Sequence, residues 1–191
     1  MADRESAPRI APLEPPYAQE VGAMLARWMP PDSGAEPLRL FRTLAVHPEL
    51  AARMRPLGAG ILAHGTVEPH LREVMILRTC ALCGAEYEWG VHAVAFGGAA
   101  GLSEQQLDST ARGDAADRVW SPLERAVFRL ADELHDRSGV SEELFAELGG
   151  HFGPAQIVEL VVTAGWYRTI AYVINTARVQ LEPWAGRFPA D

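Results

Sequence analysis

Nearly every apolar run in this chain is bracketed by residues that start or stop a helix, and that punctuation constrains the fold more than any other feature. Tyr17 to Met29 places Val21, Met24, Leu25 and Trp28 at helical spacing and closes on Pro30-Pro31. Leu38 to Val46 and Pro48 to Met54 read as two short helices separated by His47-Pro48, with a further short one over Pro56 to Ala63. Pro69 sits in the first turn of a helix that ends near Cys83-Gly84, and a second helix runs from Ala85 to Ala100 and stops at Gly101. Ser103 to Gln106 and Ser121 to Glu124 are capping boxes, the second strengthened by Pro122 at the first helical position. A short helix then starts at Val140-Ser141, and a long one spans Pro154 to Leu181, with Val158, Val161, Val162, Trp166, Ile170 and Val173 as its packing stripe. No segment alternates with period two between hairpin turns, so strands are not expected. The pattern predicts an all-α bundle.

A chain of 191 residues can bury one sizeable core or act as the repeat unit of an oligomer. Residues 1–16 hold Pro8, Pro12, Pro15 and Pro16 and read as an extended arm; 17–182 form the helical domain. Residues 183–191 are a proline-broken tail expected to fold back over a groove or a neighbouring subunit. A net charge of −8 with no basic run argues against nucleic acid as a partner. No 18-residue uncharged apolar stretch is present, and the N-terminus lacks the layout of a signal peptide, so no membrane span is expected. Two cysteines three residues apart cannot staple a fold, which points to a cytoplasmic protein.

The chemistry concentrates between Glu73 and His92, where two acids, two thiols, a phenol and an imidazole stand in a segment that otherwise reads as buried helix. Ionisable groups occupy such a place only when something offsets their desolvation. Glu88 and His92 are four apart and share a helix face, as a solvated pair or as a carboxylate orienting an acid–base imidazole. Tyr87, Trp89, Val91 and Phe96 add apolar mass around them. Glu73 is either exposed on a polar stripe with Arg72 or buried against a partner helix. Arg78 could fork onto a substrate carboxylate or pair with a neighbouring acid. Cys80 and Cys83 are either small core residues or a redox pair, and their position at a helix C-terminus raises rather than lowers a thiol pKa. On the last helix, Tyr167 or Asn175 could close a pocket against His92. His47, His64, His70, His135 and His151 form no zinc spacing, and no glycine-rich phosphate loop follows a strand.

Leu71-Arg-Glu73 through His92, followed by Ala99 to Ser103, resembles the carboxymuconolactone decarboxylase family, which includes alkylhydroperoxidase D. The likeness covers residues 35–182, is densest over 68–108, and extends to the closing helix from Glu159 to Asn175. In peroxidase members a C-x-x-C lies between the relay glutamate and the histidine. Counted from Glu73, those thiol positions fall on Ala85 and Glu88, with the histidine at His92, so the C-x-x-C of Cys80 and Cys83 is displaced by five residues. The resemblance implies an alkylhydroperoxidase D-like helical bundle assembled as a trimer or hexamer, acting on a small molecule without metal or organic cofactor. It casts His92 as general acid or base, Glu88 as its orienter, Glu73 as proton relay with Tyr87 beside them, and Arg78 and Tyr167 as substrate-binding residues. The expected activity is a lyase acting on a carboxylated or lactone-type molecule. A thiol peroxidase using Cys80 and Cys83 and a catalytically silent ligand-binding protein are the alternatives.

Overall fold

The computed structural model describes residues 7–30 and 34–190; the expectations for residues 1–6 and for Pro31 lie outside them. The described residues contain nine α-helices and one π-helical turn, with no strand among them.

Helix α4 (Pro69–Leu82) is the axis of the bundle. Leu71, Val74, Met75, Ile76, Leu77 and Cys80 are all buried, covering most of its circumference, as expected for a helix packed on several sides. It contacts α5 (Glu86–His92), α6 (Glu104–Arg112), α7 (Pro122–Arg137) and α9 (Pro154–Ala177). Its N-terminal approach is tied down by Glu159 of α9, whose carboxylate accepts from the backbone N–H groups of Thr66 at 2.7 Å and Val67 at 3.1 Å. Its C-terminus closes on Gly84 at φ +62°, with Gly84 N–H bonded to Ala81 and Ala85 N–H bonded to Cys80. Those two bonds are the Schellman pattern, and they turn the chain so that α5 packs back on α4.

Helices α1 (Gln19–Trp28), α2 (Arg39–Leu44) and α3 (Pro48–His64) form the second layer. Their core, with Tyr87, Val91, Ile170 and Ile174, adjoins the main core around α4, α7 and α8 (Glu142–Gly149). Helix α5 contributes Trp89 to one core and Tyr87 and Val91 to the other.

Four expectations are corrected. The segments Pro48 to Met54 and Pro56 to Ala63 are one helix, because Pro56 and Ala52, whose carbonyl loses its partner, are both exposed and water can serve the freed group. The helix expected to run to Ala100 gives way after His92 to a π-helical turn over Ala93–Gly97. Helix α9 stops at Ala177, four residues early, with Arg178 in the left-handed conformation at φ +52°. Its inner face is Leu160, Thr163, Ala164, Tyr167, Ile170, Ala171 and Ile174, whereas Val158, Val161 and Val162 point outward. By length and composition alone, α9 is apolar enough to cross a membrane, Glu159 and Arg168 notwithstanding; its inner face is packed within the bundle against α4.

The tail folds back onto α5 of its own chain. Glu182 accepts from the Tyr87 hydroxyl at 2.6 Å and from Arg39 N–H at 2.6 Å, Gly186 N–H donates to Gly90, and Phe188 N–H donates to Glu86. A Cβ on Gly90 would stand 2.1 Å from the Gly186 carbonyl oxygen, so the crossing requires glycine there.

Candidate active site

Glu73 enters from the first turns of α4, while Glu88 and His92 enter from α5, which the Gly84 turn folds back onto α4. The His92 Nδ1 lies 2.7 Å from Glu73 Oε2, a hydrogen bond between side chains 2% and 0% exposed. On the other side of the ring, Nε2 lies 3.6 Å from Glu88 Oε1, so Glu88 acts on it through charge rather than a hydrogen bond. The Phe96 ring, from the π-helical turn, stacks on the imidazole at 4.8 Å, and Tyr167 of α9 meets it edge-on at 5.0 Å. Phe96 is only half-buried.

Burial alone would lower the His92 pKa. The hydrogen bond and charge of Glu73, with Glu88 acting in the same sense, outweigh it and raise the value to about 9. At neutral pH the ring is therefore an imidazolium and a proton donor. Glu73 Oε1, Glu88 Oε2 and the Nε of Arg72 are buried without a hydrogen-bond partner, although Arg72 Nε stands 3.5 Å from Glu73 Oε1. Unpartnered buried polar atoms are uncommon, and three of the six among the described residues stand in this cluster, the others being on Tyr17, Trp28 and Arg42. Among the described residues, no group of three or more His, Cys, Asp or Glu side chains is arranged to hold a metal ion.

Comparison with known protein families matches residues 48–133, from the start of α3 into α7. The family matched over that segment is the carboxymuconolactone decarboxylase family. Solved structures with the same fold include ATU0492 of Agrobacterium tumefaciens, a protein of unknown function proposed to be the antioxidant defence protein AhpD. It is 21% identical over 73% of this chain and 94% of its own, with a TM-score of 0.66. The debrominase Bmp8 without ligand is 14% identical over 92% of each chain at a TM-score of 0.73. A cysteine-to-alanine variant of Bmp8 in complex with 2,3,4-tribromopyrrole is 15% identical over 92% of each chain at 0.72. At these identities the likeness is one of fold. No curated protein matches the chain.

The family segment contains Glu73, Glu88 and His92 but not Tyr167, which α9 supplies from outside it. Three residues expected at the site are elsewhere. Tyr87 points into the second core, where its hydroxyl donates to Glu182 and accepts from Leu40 N–H at 3.1 Å, and burial holds the phenol protonated. Arg78 lies roughly 140° around α4 from Glu73. Its guanidinium bonds Asp132 at 2.7 Å and the carbonyls of Thr110 and Gly113, and stacks over Phe128 at 4.3 Å. It ties α4 to α6 and α7. Asn175 does not close a pocket either; its amide caps the Cys83 carbonyl at 2.8 Å.

Cys80 is fully buried next to the acid cluster, and burial, then the charge of Glu88, drives its pKa well up. Cys83 is half-buried and is also raised by burial, with Arg168 opposing. Both are free thiols. Neither environment favours a thiolate.

Two participants escaped sequence reasoning. Arg72 reads from the sequence as part of a polar stripe, and its place beside Glu73 is the available signal. Phe96 reads as packing mass, although it stands one turn beyond His92.

Proposed function

We propose that this chain is a cofactor-independent lyase that transfers a proton from His92 to a small carboxylated or lactone-type molecule. The observation that carries the reading is the buried imidazolium, held at 2.7 Å by Glu73 within a cluster whose remaining acceptor oxygens are unpartnered. With Nδ1 engaged by Glu73, Nε2 is the donating nitrogen. In decarboxylation, the carbon–carbon bond to the carboxylate breaks and releases carbon dioxide. The electron pair stays on the substrate, delocalised toward its carbonyl group, and the Nε2 proton goes to that carbon. The neutral imidazole then regains a proton from water. Arg72 takes the anchoring role in place of Arg78, since its buried Nε stands beside Glu73 without a hydrogen-bond partner. Substrate reaches the ring by displacing Phe96, on the π-helical turn; such turns recur at functional sites.

The test is carbon dioxide release from carboxymuconolactone and related carboxylated lactones. His92→Gln is expected to abolish turnover while Cys80→Ser and Cys83→Ser retain it. Full activity in His92→Gln would end the reading. A thiol-dependent reaction would give the opposite outcome. We also propose that the chain self-associates. The outward Val158, Val162 and Tyr172 of α9 support this, and light scattering on the purified protein measures it.

A further inference from the structure

A cavity of about 210 Å³ lies between the C-terminal half of α7 and the middle of α9, with Thr79 of α4 contributing to its lining. Its apolar lining is Ala131, Leu134, Val161, Ala164 and Gly165. A cavity of about 150 Å³ accepts benzene, so this one has room for a substituted ring. Its polar rim is Thr79, His135, Ser138 and Arg168. No carboxylate lines it, in a protein of net charge −8.

Arg168 is held in place from one side. Its Nε donates to the Tyr172 hydroxyl at 2.8 Å and its Nη1 to the carbonyl of His135 at 3.1 Å near the end of α7. Its Nη2 takes no partner among the described residues. The Nη1 bond tethers α7 and the Nε bond stays within α9, which leaves the third nitrogen and the cavity unused. His135 adds a second polar group, its Nδ1 standing 4.0 Å from Cys83 Sγ. Gly165 leaves the space open, since a Cβ there would meet no atom within 4 Å.

We propose that this cavity is a second ligand site, distinct from the His92 cluster, for a small organic acid with an apolar ring or short chain. The body fills the alanine- and glycine-lined space and the acid group bonds the free edge of Arg168, with His135 beside it. The arrangement selects a carboxylate over a neutral isostere because the guanidinium is already oriented and needs no rearrangement to bind.

The probe is 4-fluorobenzoate, titrated into the full-length protein by fluorine NMR, with 4-fluorobenzamide as its neutral counterpart. Saturable binding of the acid is expected, at least about tenfold tighter than the amide. Gly165→Leu projects a side chain into the cavity from a Cβ that meets no atom within 4 Å and improves helix propensity, so it should fold, which circular dichroism checks. It should weaken binding at least about tenfold, and Arg168→Gln about fivefold. His92→Gln should leave binding unchanged. Absence of saturable binding up to about 10 mM, equal affinity for acid and amide, or indifference to both cavity variants overturns the proposal. So does loss of binding in His92→Gln, which would assign the probe to the other site.

Discussion

Glu73 and His92, 19 residues apart, meet at 2.7 Å because the glycine turn at Gly84 brings α5 back along α4. The pair is joined across two helices and sealed by Phe96 and Tyr167, so its electrostatics are those of an interior. Removing the acid leaves the ring buried with Glu88 as its sole carboxylate neighbour at salt-bridge distance among the described residues.

Glu73→Gln should therefore lower the His92 pKa from about 9, since it removes both a hydrogen bond and a charge. NMR titration of the imidazole measures the change directly. Turnover should fall by roughly 10²-fold or more, the usual scale for a lost acid–base group. An unchanged titration would show that Glu73 does not hold the proton.

Stability should depend on pH through the same ring. The folded-state value, about 9, lies above the roughly 6.5 of an unfolded histidine, so the protein binds the proton more tightly than the unfolded chain does. The contribution is fully present below pH ~6.5 and is lost as pH rises through ~9, on the order of 3 kcal/mol in total. Urea midpoints at pH 6 and pH 9.5 should differ in the wild type, and the difference should shrink in His92→Gln.

Tyr87→Phe separates support from catalysis. It deletes the bond to Glu182 and leaves Leu40 N–H without its acceptor, which should cost about 1–3 kcal/mol. Turnover at saturating substrate should stay within about threefold of wild type, because a buried support residue need not touch the reacting atoms. A large fall in kcat with unchanged stability would restore Tyr87 to the reacting group.

The thiols should react in order of exposure. Iodoacetamide is expected to modify half-buried Cys83 slowly in the native protein and Cys80 only after unfolding. Mass spectrometry of peptides from native and unfolded samples distinguishes the two. Rapid labelling of native Cys80 would revive thiol chemistry.

What the sequence discloses follows the range of the forces involved. The capping boxes at Ser103 and Ser121 and the Gly84 stop are local, and all three stand in the structure. Glu88 and His92 share a helix, so their spacing alone places them together. Tyr87 is one residue from Glu88, yet its direction is decided by Glu182, 95 residues away. Arg78 was equally ambiguous until Asp132, 54 residues on, claimed its guanidinium. The outward turn of Val158, Val161 and Val162 was hidden because both faces of α9 are apolar. Pro56 misled for another reason: the disruption it brings falls on the wet side of α3.

The backbone crossing of Gly186 over Gly90 makes the last few residues a clamp on the very helix that carries Glu88 and His92. Shortening the chain ahead of Glu182, or fusing a bulky tag close behind Phe188, would loosen that helix from a distance. Lost turnover in such a variant would then mimic an injured catalyst, although none of the deleted atoms belongs to the reacting cluster.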